Sequence, residues 1–349
     1  MKAYIMDEKR NLVIADMPEP ERTPDNLVVR IQAASICGTD IRAFTKGNPK
    51  IEPPRIMGHE CAGEIVHCGE TLSEYEFAVG DAVTVAPAIG CGKCWPCSTG
   101  HTNMCDNLKT IGFQFEGAFT QYIAIPKQAV VMGNVIKLPG SVSYDTATLI
   151  EPAACALSAQ KYLNISKGDY VLVYGAGFIG CLHAEMAFLS GAEKVMIVEP
   201  AEKRGCQIVE RIPGAVWINP VTQNTCDEVF RITENRGANV VITATSVSSV
   251  HEEAQIIASK MGRISLFGGL AGESKGFLDS NLIHYKELQV FGAHATSPSV
   301  MREVLALVQE GSLNLTKYIE KTVPLEKIED AFIALRDEHI MKVVVHPNN

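Results

Sequence analysis

Three groups of residues have the types and spacing to do chemistry. The densest is Cys91-Gly92-Lys93-Cys94-Trp95-Pro96-Cys97, followed by Cys105 eight positions on. Two-residue gaps let neighbouring thiolates turn toward one point. Four thiolates around one point make a closed tetrahedral zinc site. Gly92, Pro96 and Gly100 suit the tight turns such a loop needs. Disulfides would use the same residues, but they belong to oxidising compartments and no secretory pattern precedes this loop. A zinc held by Cys91, Cys94, Cys97 and Cys105 has no open position, so the loop is structural and names no reaction. Trp95 is expected to pack within it.

The second group is Gly175-Ala176-Gly177-Phe178-Ile179-Gly180. A lone GxGxxG is weak. Here an apolar strand, Val171 to Tyr174, precedes it, and an apolar-periodic helix follows. Glu199 stands 19 residues after Gly180, at the end of the next apolar run. That is the context in which glycines admit a pyrophosphate to a helix N-terminus and an acid meets the ribose. A carboxylate at Glu199 repels a 2′-phosphate, so NAD is favoured over NADP. Arg204 is the residue that a 2′-phosphate would recruit instead.

The third group is scattered. Cys37 sits in Cys-Gly-Thr-Asp, His59 and Glu60 in Gly-His-Glu, and Glu151 in Ile-Glu-Pro. Cys, His and Glu are suitable zinc donors, and a catalytic zinc needs about three of them plus an open position. Spacing alone does not make them converge, since an isolated Cys or His is as readily a core residue.

The elements that must position these groups fall into two regions. Residues 1 to about 150 carry short alternating or apolar runs separated by turns: Leu27 to Ala33, Ala62 to His67, Ala82 to Ala86 and Phe119 to Ile125. After Glu151-Pro152 strand and helix patterns alternate, which implies a parallel sheet with right-handed crossovers. Strands are expected at Tyr170 to Tyr174, Lys194 to Val198, Val240 to Ala244, Arg263 to Phe267 and Leu288 to Phe291. Helices are expected at Phe178 to Ser190, Ala201 to Val209 and Val250 to Lys260. A last strand runs from Lys342 to His346. The chain is 349 residues long, enough for two domains, with 46 % hydrophobic and 20 % charged residues. Its net charge of −9, with signs interspersed, argues against a nucleic-acid surface or a polybasic membrane surface. No signal-peptide core or membrane-length apolar run is present, so the cysteines read as reduced thiols and metal ligands in a cytoplasmic protein.

Taken in order, Cys37-Gly38-Thr39-Asp40, the Gly-His-Glu element at 58 to 63, the four-cysteine loop and Gly175 to Gly180 with Glu199 resemble the zinc-dependent medium-chain dehydrogenase/reductase superfamily. Gly80-Asp81-Ala82-Val83 fits as well. Nearly the whole chain is covered. Glu151-Pro152 resembles the polyol (sorbitol or iditol) branch, where liver-type alcohol dehydrogenases have a cysteine.

The resemblance implies a β-rich GroES-like catalytic domain, residues 1–152 and 294–349, with the zinc lobe at about 88–107. It implies a Rossmann domain over 153–293, two zinc ions per chain, NAD and a homodimer or homotetramer. Cys37 and His59 are implied ligands of the catalytic zinc. Glu60 either binds it or lies beside it, and Glu151 either binds it or hydrogen-bonds its water. Asp40 would orient the His59 ring. Thr39 would bond the substrate oxygen and relay its proton. Lys342 would help hold the cofactor phosphates, and Phe113, Phe115 and Glu116 would line the substrate cleft. Arg42 replaces the histidine that passes the proton on in many relatives, and arginine is a poor base. The implied activity is reversible oxidation of a secondary alcohol, most simply a sugar alcohol, to the ketone. A sugar phosphate, sugar acid, butanediol or threonine is the alternative substrate, with Arg42 and Arg55 available to an anion. A zinc- and nucleotide-binding protein without activity is the alternative class.

Overall fold

A computed structural model of the chain describes residues 1–48, 50–270 and 274–348. The backbone forms two compact units, Met1–Ala154 with Ala295–Asn349, and Cys155–His294. No helix among the described residues is long and apolar enough to cross a membrane.

The first unit is organised by the strand Asn26–Ser35. Its apolar residues are buried along most of its length, and other strands cover both of its edges. One edge pairs antiparallel with Glu60–Cys68. The other edge is shared: Tyr122–Pro126 pairs with its first half, and Lys342–His346 with its last residues. The final strand also pairs in parallel with Ile319–Pro324. The chain's end thus returns to complete a sheet begun near its start. Packing repeats the pattern. Phe332, from the helix Ile328–Asp337, lies 5.7 Å from Tyr4, 5.2 Å from Phe44 and 6.3 Å from Phe119, ring centre to ring centre. Such aromatic pairs add to the burial energy of the side chains themselves.

The second unit is a six-stranded parallel sheet. Its order is Ala215–Ile218, Lys194–Val198, Tyr170–Tyr174, Ala238–Thr243, Ala258–Leu266, Gln289–Gly292. Val171, Leu172, Val173, Val195, Met196 and Ile197 are fully buried, as strands covered on both faces must be. The first strand in sequence lies at the centre, and the order reverses beside it. This is the doubly wound arrangement, whose ligand site lies outside the carboxyl ends of the strands at that reversal. The helix Phe178–Leu189 follows the central strand.

His183, within that helix, is fully buried against Phe267, ring centres 4.7 Å apart. Burial lowers its pKa from 6.5 to about 3. The unfolded chain therefore binds one more proton than the folded chain between these values. The neutral ring's contribution is complete above pH 6.5 and is lost as pH falls, by about 1.4 kcal/mol per pH unit for one proton. His183→Gln should make the fall in stability between pH 6.5 and 4 shallower, measured by denaturant titration at several pH values.

Candidate active site

The strand Asn26–Ser35 delivers the chain to Cys37, which is the N-cap of the helix Gly38–Lys46. Asp40, in the first turn, accepts a hydrogen bond from the Cys37 backbone N–H through Oδ2 at 3.0 Å. Its other oxygen lies 3.5 Å from His59 Nδ1. One buried carboxylate therefore steadies the turn that presents the thiol and faces the ring of the imidazole. His59 precedes the strand Glu60–Cys68 and follows Gly58, whose φ is +93°. A side chain at Gly58 would also meet the Phe119 ring at 2.8 Å. Only glycine suits a position that combines this backbone with that contact.

Register does the rest. Ser35 is opposite Glu60 across one strand pair and opposite Val344 across the next. Cys37, His59 and Glu60 each offer a ligand atom, and these atoms lie within 4.8 Å of one another. His59 and Glu60 are buried. Burial works against a charged His59 ring, yet the charges of Asp40 and Cys37 outweigh it and hold its pKa well above the ordinary value. A cysteine sulfur, an imidazole and a carboxylate gathered at one point, the last two buried, are the donor set of a divalent transition metal, and zinc fits it. Phe113 lies edge-on to the His59 ring at 5.9 Å.

Thr39 is half-buried in the first helical turn beside Cys37, and Arg42 is exposed one turn on. Glu151 is buried at the start of the helix Ile150–Leu163, but its carboxylate is outside the three-ligand group. Three sequence expectations need correction. Lys342 is buried, with its ammonium on the Glu60 carboxylate, where it pairs with a charge rather than reaching for a cofactor. Arg55 is bonded to Glu116 at 2.7 Å, and Glu116 also accepts from the Ile56 N–H at 2.8 Å. Neither is left as a simple lining group or an anion receptor. Ser35, which donates to Glu60, was not singled out in the sequence.

The second ligand group is Cys91, Cys94, Cys97 and Cys105, also within 4.8 Å of one another. The backbone N–H groups of Cys91 and Asn107 point at Cys105 Sγ, each at 3.2 Å. N–H donors at sulfur stabilise thiolate, the form that binds metal. All four cysteines are free of disulfides. Trp95 is 76 % exposed, so it does not pack this lobe. Its place in the short helix Trp95–Ser98 turns Cys97 inward and the indole outward.

In the second unit, Tyr174, Val198 and Thr243 are level across the central strands, so the residues after them share one sheet edge. Gly175 has φ +94°, and a side chain there would lie 2.8 Å from the Ala244 carbonyl oxygen. A side chain at Gly180 would overlap the Gly175 carbonyl oxygen. Gly177 caps the helix whose first residues are Phe178 and Ile179. Glu199 is buried, and its carboxylate accepts from Ala176 N–H at 2.8 Å and Ala201 N–H at 2.9 Å. A carboxylate offers about four lone-pair sites, so capacity remains for ribose hydroxyls. Arg204 is half-buried in the helix Glu202–Arg211.

A dinucleotide turn, a three-donor metal centre and a four-cysteine lobe in one chain define a zinc-dependent dehydrogenase. Family models agree: residues 23–139 match the alcohol dehydrogenase GroES-like domain and 179–310 the zinc-binding dehydrogenase domain. An L-threonine 3-dehydrogenase of Pyrococcus abyssi is 35 % identical over 95 % of this chain and 94 % of its own. A sorbitol dehydrogenase of Bacillus subtilis is 27 % identical over 100 % of this chain and 98 % of its own. A solved alcohol dehydrogenase from E. coli CFT073, complexed with NADH, superposes with a TM-score of 0.88 at 28 % identity, over 99 % of each chain. The chain belongs to the zinc-dependent alcohol dehydrogenase family, whose members are medium-chain dehydrogenases with a GroES-like domain.

Gly180→Ala should raise the Kd for NADH by about tenfold or more through the clash with Gly175, while metal content stays unchanged. Fluorescence titration and metal analysis of one preparation read both quantities.

Proposed function

We propose that the chain catalyses reversible, NAD-linked oxidation of a secondary alcohol group on a neutral polyol. The observation that carries this reading is the convergence of Cys37, His59 and Glu60 in a chain that also has the dinucleotide turn. Bound at these sites, zinc supplies Lewis-acid polarisation of the alcohol oxygen and NAD supplies the hydride acceptor. Oxidation of the alcohol to the ketone releases a hydride, which bound NAD would accept, and a proton, which the protein must pass to water.

The protein's part is position and proton traffic. Cys37, His59 and Glu60 hold the catalytic ion, and Asp40 keeps the His59 ring oriented. Thr39, beside Cys37, accepts the hydroxyl proton into its hydrogen bond and passes it outward. Arg42 stays protonated and cannot continue that relay as a base, so the proton leaves through cofactor hydroxyls and water, or through Glu151. Cys91, Cys94, Cys97 and Cys105 hold the structural zinc. The glycines at 175, 177 and 180, with Phe178 and Ile179, receive the cofactor pyrophosphate. Glu199 receives the ribose and disfavours a 2′-phosphate, against the pull of Arg204.

A neutral substrate is supported by the ion pair of Arg55 with Glu116, which removes one cation that an anionic group would seek. The sorbitol dehydrogenase relative points the same way. Threonine is the second reading, favoured by the higher identity to L-threonine 3-dehydrogenase. NAD reduction measured over sugar alcohols, butanediol, polyol phosphates and threonine separates them: the highest kcat/KM on a sugar alcohol is expected, and the highest on threonine would replace the polyol reading. Cys37→Ser should cut turnover by several orders of magnitude and lower zinc from about two per chain to about one, with NADH binding retained. Retained turnover at one zinc per chain would exclude Cys37 as a ligand.

A further inference from the structure

Glu60 is 0 % exposed. Its two carboxylate oxygens are not equivalent. Oε2 accepts hydrogen bonds from both Ser35 Oγ and Lys342 Nζ. Oε1 is buried without a hydrogen-bond partner among the described residues. A buried, unpaired carboxylate oxygen is costly unless something else meets it, and Glu60 belongs to the three-ligand group.

Lys342 is itself 4 % exposed. Its ammonium is fixed by more than the ion pair: it donates to Ser35 Oγ at 3.3 Å and to the Ile36 carbonyl at 3.0 Å. The Ile36 carbonyl adjoins Cys37. The ammonium is therefore tied to the segment that presents one candidate ligand and to the side chain of another. Three adjacent strands set this up, since Ser35 pairs with Glu60 on one side and Val344 on the other.

We propose that Lys342 is a positioning residue for the metal centre. With Ser35 it occupies Oε2 of Glu60, so that Oε1 alone is offered to the ion. Glu60 then acts through one oxygen, and a coordination position stays open for the alcohol. The ammonium and the metal compete for the same carboxylate, so Lys342 also limits how tightly the ion is held. Without that ammonium, Oε2 is free to turn to the metal as a second oxygen, which raises the coordination number and fills the open position. The inference rests on the three-ligand centre proposed above.

Cobalt(II) substitution tests it without reference to turnover. The unaltered chain should take up about two cobalt ions, and Cys37→Ser about one. In Lys342→Met, the visible bands of the cobalt at the Cys37 centre should weaken, as they do when coordination number rises. Release of that ion to a chelator should slow about tenfold, as a second oxygen donor joins the ion. Ser35→Ala should move both readings the same way by less, and Lys342→Arg should restore them. A fall in melting temperature with unchanged bands and release would make Lys342 a purely structural ion-pair partner and overturn the inference. Faster release in both Lys342→Met and Ser35→Ala would overturn it as well. Should Lys342→Met not fold, Ser35→Ala alone decides between the same outcomes. Uptake of one cobalt by the unaltered chain would instead remove the centre itself, and this inference with it.

Discussion

A fully buried carboxylate cannot stand alone, and the first unit is built around that constraint. Glu60 sits at the head of a strand whose neighbours are apolar. Its charge needs a counter-charge, and removing one partner of a buried pair is strongly destabilising. Lys342 supplies that counter-charge from the far end of the chain. Its strand must therefore dock beside Asn26–Ser35, which fixes the register of Ser35 against both neighbours. The same register carries Cys37 and His59 toward Glu60. Sheet topology and ligand convergence are thus one arrangement, set by where a single negative charge is allowed to be buried.

Charge and backbone cooperate in the second unit in a different way. The glycine turn leaves the central strand at the reversal of strand order, and Glu199 leaves the next strand level with it. The Glu199 carboxylate is bonded to Ala176 N–H before any nucleotide arrives. That contact locks the turn in shape and presets where the acid stands. A nucleotide bound as proposed would meet a surface already ordered, and little binding energy would be spent on ordering it.

Much of this was legible in the chain itself. The parallel sheet was readable because its strands are short apolar runs buried on both faces, and the dinucleotide turn because only glycine satisfies its geometry at 175 and 180. The four cysteines were readable from spacing. Other elements were not. Ala215–Ile218 is apolar but only four residues long and only partly buried, and Thr225–Ile232 begins with polar residues. The strand Ala258–Leu266 starts earlier than its apolar run, because pairing with Ala238 at its first residue overrides local preference. Lys342 was visible as a charged residue opening an otherwise apolar strand, but the resemblance pointed it to the cofactor phosphates. Which acid it meets depends on strand order, and no local spacing encodes that. Trp95 misled for the converse reason: a large aromatic in a cysteine loop suggests packing, yet the helix Trp95–Ser98 is only one turn and has a single inward face.

The return of the chain's last segment to its first has a consequence for biosynthesis. The nucleotide unit, Cys155–His294, is one continuous stretch and contains all of its own strands. The cysteine lobe is more local still. During synthesis both can be formed while the ribosome is still making the remainder, because domains fold as units from the N-terminal side. The three-ligand centre cannot be finished then. Glu60 precedes its partner Lys342 by 282 residues, and Phe332 also follows the nucleotide unit. The four-cysteine group can therefore form from one local stretch, whereas the Cys37, His59 and Glu60 group lacks its counter-charge until residue 342 has been made.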